Sequence, residues 1–128
     1  MQQLDYTVET KNNFEDTVIS IEAKAQEKGF RVLAVHDVKA TLESKGFNRD
    51  PLTIIEICNA KYASEVLAKD IKLALMLPCP ICVYVEDNKT FISAMRPAAI
   101  PDFFPEADIK TIADEVDKIV VSILDEIK

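Results

Sequence analysis

The sequence predicts an α+β fold, a two-layer sandwich in which one largely antiparallel sheet carries helices packed on one face. Three observations predict it. Strand-like and helix-like hydrophobic periods follow one another as strand, helix, strand, short helix, strand, helix, strand, strand, helix. The last two strands are joined by Asp87-Asn88, residues that tolerate positive φ and make a tight hairpin. The final stretch repeats apolar residues at helical spacing, which gives the sheet a helix to pack against.

Each element has a local reason. Leu4, Tyr6 and Val8 alternate with polar residues and read as a half-buried first strand. Asn12-Asn13 offers an N-cap, and Glu15 and Asp16 follow in the first turn, where carboxylates suit the helix dipole. Phe14, Val18, Ile21 and Ala25 share one face of that helix, and Gly29 ends it. Phe30 to Val35 is the second strand. Asp37 caps a short helix holding Val38 and Leu42, closed by Gly46. Leu52 to Ile57, rich in β-branched residues, is the third strand. Asn59 caps a helix from Ala60 to Lys69 with Tyr62, Ala63, Val66 and Leu67 inward. Ile71 to Met76 fits either a helical turn or an extended approach to Pro78. Ile81 to Glu86 and Thr90 to Met95 form the hairpin. Pro97, Pro101 and Pro105 then interrupt regular structure in a loop that carries Phe103 and Phe104. Asp108 is placed to cap the last helix, whose stripe is Ile109, Ile112, Ala113, Val116, Val120, Ile123 and Ile127, widened by Ile119, Val121 and Leu124. No repeat, linker or low-complexity segment interrupts residues 1–128, which read as a single domain of the length expected for one.

The totals exclude several function classes. A net charge of -7 argues against nucleic acid, since phosphate binding needs clustered Lys and Arg. The acidic residues, Asp114, Glu115 and Asp117 among them, are spread as solvated helix faces are. No apolar run approaches the ~20 residues of a membrane span. The first residues lack the basic and apolar regions of a secretory signal, so the expected location is cytoplasmic. Three cysteines are an odd number, unlike a secreted disulfide framework. In a reducing compartment they are free thiols, metal ligands or a transient redox pair.

Leu77-Pro78-Cys79-Pro80-Ile81-Cys82 concentrates two of those cysteines in one short segment ahead of a strand. Cys79 and Cys82 form a CxxC, but a redox CxxC sits at a helix N-terminus that lowers the thiol pKa, and this one runs into a strand. Cys58, Cys79 and Cys82 supply three thiolates, and the lone His36 a fourth ligand, a set suited to tetrahedral zinc. Against this stands simple burial, because free cysteine behaves as a small hydrophobe. Cys58 immediately precedes the helix capped by Asn59, where a thiolate would feel the positive end of the dipole. No serine or second histidine suggests a nucleophilic triad. With only Gly29 and Gly46, there is no glycine-rich phosphate cradle.

Several blocks resemble the DUF302 family, small bacterial and archaeal proteins of unknown function. They are Gly29-Phe30-Arg31-Val32-Leu33, Asp37-Val38-Lys39-Ala40-Thr41-Leu42 with Lys45, Cys58-Asn59-Ala60 with Ala63 and Leu67, Leu77-Pro78-Cys79, and Val83-Tyr84-Val85-Glu86. The resemblance implies the same two-layer fold and a homodimer, and it implies no settled activity. Ala60 stands where the family commonly has proline. Pro80 and Cys82 depart from the usual residues between Leu-Pro-Cys and the strand. Cys58 and Cys79 therefore fall on family positions, whereas Cys82 does not.

The leading expectation is a binding site for a small ligand or metal ion built from Cys58, Asn59, Pro78 and Cys79, with Cys82 and His36 as further candidate zinc ligands. One alternative is a thiol-based redox enzyme using Cys79 with Cys58 or Cys82. Another is a non-catalytic homodimeric interaction module with Phe103 and Phe104 at the contact.

Overall fold

Strict alternation of burial along Leu52–Cys58 gives the sheet a covered face, with Thr53, Ile55 and Ile57, and an open one, with Leu52, Ile54 and Glu56. The structure is a computed structural model and describes residues 3–128. Its strands are β1 (Asp5–Thr10), β2 (Arg31–Asp37), β3 (Leu52–Cys58), β4 (Cys79–Glu86) and β5 (Lys89–Met95). They form one antiparallel sheet in the order β1-β5-β4-β3-β2. The helices are α1 (Phe14–Glu27), α2 (Val38–Glu43), α3 (Ala60–Lys69) and α4 (Lys110–Ile127), with 3-10 segments at Ile71–Met76 and Pro97–Asp102.

The α+β sandwich expected from the sequence is the fold observed. Ile21 and Ala25 of α1 and Val116, Val120, Ile123 and Leu124 of α4 pack on Val8, Ile55, Ile57, Ile81, Val83 and Ile92 of the covered face. A second, smaller core joins Leu73, Ile100, Ala107 and Ile109, with Phe104 packed against it. The two 3-10 segments and the start of α4 meet in this satellite core.

Several local readings hold in detail. The Asn13 side chain accepts from the Asp16 N–H, Asp37 from Ala40 and Asn59 from Tyr62, so three of the four expected caps are formed. Asp87 and Asn88 both have positive φ, 53° and 62°, the signature of a type I′ hairpin turn.

Other readings need correction. Asp108 does not cap α4. It has φ 53°, its side chain points to solvent, and the helix follows Ile109 with no side-chain cap. The proline-rich loop is not irregular throughout, because Pro97 opens a 3-10 segment, where its fixed φ and missing N–H fit. Phe103 is 56% exposed as expected, but Phe104 turns into the satellite core. Ile71–Met76 is a 3-10 segment, and β4 starts at Cys79, two residues earlier than expected. The largest departure concerns Asp117, read above as solvated. It is 6% exposed and accepts from Arg96 Nη2 at 2.8 Å, Arg96 Nε at 3.3 Å and the Ala98 N–H at 3.1 Å. Among the described residues, no helix is long and apolar enough to cross a membrane.

Candidate functional site

Cys79 lies directly across from Ile57 in the sheet, one residue from Cys58. Both cysteines line a pocket at the seam between the two cores. Tyr62 and Val66 of α3, Leu73 and Met76 of the first 3-10 segment, and Ile112 and Val116 of α4 supply much of the wall. Its volume is about 50 Å³, and its lining is almost wholly apolar. The cavity lies where α3, α4 and both 3-10 segments meet the end of β3 and the start of β4.

Asn59 lines the pocket but offers it no free polar group. Its Oδ1 accepts from the Tyr62 N–H at 3.1 Å, and its Nδ2 donates to the Gly29 carbonyl at 2.9 Å. One amide thus caps α3 and clasps the turn that feeds β2. That turn requires glycine, since Gly29 has φ 88°. Asn59→Ala is expected to lower the unfolding free energy by about 1.5 kcal/mol, the loss of a cap and a further hydrogen bond, measured by urea denaturation. Asn59→Asp, which keeps the cap acceptor and loses the donor to Gly29, is expected to fall between Asn59→Ala and the parent chain.

The thiols are electrostatically quiet. Burial, with a smaller contribution from nearby Cys58, pushes Cys79, 7% exposed, up to about 11. Burial also raises Cys58 and Cys82. The dipole of α3 therefore does not dominate at Cys58. At neutral pH all three are protonated, and none has the depressed pKa that an attacking thiolate needs.

The structure does not assemble the other candidates. Cys79 and Cys82 are three residues apart on one strand, which puts them on opposite faces, with Cys79 in the main core and Cys82 on the open face. Their side chains point apart, so the CxxC does not form a facing pair. His36 is on edge strand β2, separated from Cys82 by Ile54 of β3, and its Nε2 lies 2.8 Å from Glu56 Oε2. The set Cys58, Cys79, Cys82 and His36 thus does not converge. Among the described residues, no group of three or more His, Cys, Asp or Glu side chains is placed to hold a metal ion. Pro78 follows a cis Leu77–Pro78 peptide and does not line the pocket, whereas Leu77 does.

Of the residues the sequence singles out, Cys58, Asn59, Leu77 and Cys79 line this pocket, and the rest of its wall was not singled out. Tyr62, Val66, Ile112 and Val116 were legible only as inward helix positions. Nothing in a helical stripe shows where two stripes fail to meet.

The family described as "Domain of unknown function DUF302" matches residues 6–127. The chain belongs to the DUF302 family. This DUF302 chain is also similar to the crystal structure of an uncharacterized conserved DUF302 protein from Bacillus stearothermophilus. The TM-score is 0.93 at 28% identity, over 99% of this chain and 100% of that one. Among the curated proteins, none matches the chain. Cys58, Asn59 and Cys79 meet at the pocket wall of this DUF302 fold.

Proposed function

We propose that this protein is a cytoplasmic, homodimeric binding protein whose site is the Cys58/Cys79 pocket and whose ligand enters by an aliphatic group. The observation that carries this reading is the apolar pocket at the seam of the two cores. An apolar cavity of ~150 Å³ takes benzene, so about 50 Å³ takes a smaller group, such as the end of a short alkyl chain. Asn59 is fully engaged and the thiols are protonated, so recognition rests on apolar contact and on the weak S–H donors. Exposed Ile71 and Leu75 stand on the 3-10 segment whose Leu73 and Met76 wall the pocket, and they extend apolar surface outside it.

Titration with a series of straight-chain alcohols and carboxylates, followed by methyl resonances of Val66, Leu73 and Ile112, tests this. Saturable shifts confined to the pocket are expected, and they should disappear in Ala63→Phe, which fills the space from α3. Shifts that never saturate, or that spread over the whole surface, would remove the reading. The thiol-enzyme alternative predicts fast alkylation of Cys79 at neutral pH, which its raised pKa opposes.

A further inference from the structure

The helices cover one face of the sheet, and the other carries a continuous half-buried patch of Leu52, Ile54, Pro80, Cys82, Tyr84 and Phe91. None of these residues belongs to either core. We propose that this open face is the surface on which a second copy of the chain packs, with Cys82 of each copy beside the two-fold axis. The inference rests on the homodimer reading above and assigns its surface.

The polar groups of the face satisfy one another. Tyr84 Oη lies 2.8 Å from Ser93 Oγ, Ser93 Oγ lies 2.7 Å from Thr7 Oγ1, and Thr7 Oγ1 donates to Asp5 Oδ2 at 2.6 Å. His36 and Glu56 are paired in the same way on the opposite side. Hydroxyls that already have partners cost little to desolvate, so the face can be covered without demanding matched donors from its partner. The Tyr84 and Phe91 rings stack at 5.7 Å and present a flat apolar platform.

Area and charge select a second copy. Five strands about 4.8 Å apart and about 20 Å long present a plane of roughly 480 Å² before side-chain relief. With that relief added, the accessible area is of the order of the ~800 Å² that each partner contributes to a standard interface. A chain of net charge -7 repels itself over most of its surface, yet the centre of this face is uncharged. Its charges lie towards the edges and strand ends: Asp5 and Glu9 on the β1 side, Glu86 and Lys89 at the hairpin end, and Arg31 with the His36–Glu56 pair on the β2 side. A two-fold axis along the strands lays each β1 over the partner's β2 and sets the Asp5 and Glu9 carboxylates against the strand that carries Arg31. An axis across the strands would set Asp5 and Glu9 against their own copies.

With the strand-parallel axis, the central strand β4 packs on itself. Thr7, Ser93, Cys82, Ile54 and His36 form one row across all five strands, and Cys82 is its middle member. The two Cys82 thiols then face each other near the axis. Stacked sheets lie ~10 Å apart, beyond the Cα separation of a disulfide, so the thiols meet without being placed to bond.

Sedimentation velocity combined with a short bifunctional maleimide tests the surface. The chain should sediment at twice its 14.3 kDa mass, and Ile54→Lys should halve that mass while circular dichroism stays unchanged. The maleimide should cross-link two copies in the parent chain and in Cys58→Ser, and fail in Cys82→Ser. Phe103→Lys should leave the dimer intact. A parent chain that sediments as a monomer would overturn both the homodimer reading and this surface. A dimer whose cross-linking does not need Cys82, or that survives Ile54→Lys, would overturn the surface and leave the homodimer standing. If Ile54→Lys fails to fold, cross-linking in the parent background decides alone.

Discussion

Asp117→Ala is expected to lower the unfolding free energy by about 3–4 kcal/mol, read from urea denaturation of the parent and variant chains. Asp117 is the buried partner of three donors, two from the Arg96 guanidinium and one from the Ala98 N–H. Removing the carboxylate leaves a cation and a backbone N–H facing a low-dielectric interior, and that loss exceeds the value of a surface pair. The figure sits at the lower end for a broken buried pair because Arg96 is partly solvated and also lies over the Tyr6 ring at 5.6 Å. The pair fastens the segment Pro97–Asp102 to α4, and Pro97 and Ile100 of that segment wall the pocket. Weaker binding of alkyl ligands should therefore accompany the loss of stability. Asp117→Asn keeps the shape and one acceptor, and should fall between the two. A loss below 1 kcal/mol for Asp117→Ala would mean that the segment is held by packing alone.

Raising the pH from about 9 to about 11 is expected to remove about 3 kcal/mol of stability through Cys79. Burial favours the protonated thiol, so the folded-state pKa, about 11, lies above the ordinary thiol value of 9.0. The folded state therefore holds a proton that the unfolded chain releases between those two values. The contribution is fully present below pH 9 and falls as pH rises through the window, at 1.36 kcal/mol per unit. Lysines and tyrosines titrate nearby, so the quantity to measure is the difference in urea midpoint between the parent chain and Cys79→Ala at pH 8 and at pH 11. The parent should lose more stability than the variant. The same shift leaves about 100-fold fewer thiolates at neutral pH than a free cysteine has. Iodoacetamide should accordingly modify Cys79 at least that much more slowly than free cysteine. Equal slopes in parent and variant would show that Cys79 ionises in water rather than in the buried position described above.

The readings that succeeded concern residues whose consequences are local. Asn13, Asp37 and Asn59 cap helices because a short polar side chain reaches an N–H three residues on, wherever the helix later packs. Asp87 and Asn88 turn the hairpin because both accept positive φ. Alternation along Ile81 to Val85 divided β4 into two faces and set Cys82 with Tyr84, as observed. Asp108 failed because a capping residue type does not reveal its own φ. Asp117 failed because its position on α4 is polar by type and buried by tertiary contact, and its partners lie 19 and 21 residues away in sequence.

The sequence by itself determined the α+β class, the three formed caps, the hairpin turn and the family. These follow from periodicity, side-chain reach and resemblance, none of which requires a packed neighbour. Only the tertiary structure decided which thiols share a space. Pairing of β3 with β4 brought Cys58 and Cys79 to one pocket, and the two-residue period of a strand sent Cys82 to the other face. The pocket itself is the shortfall between two helices and two 3-10 segments at the end of a sheet. Such a gap depends on how several surfaces meet, and no single stretch of chain encodes it.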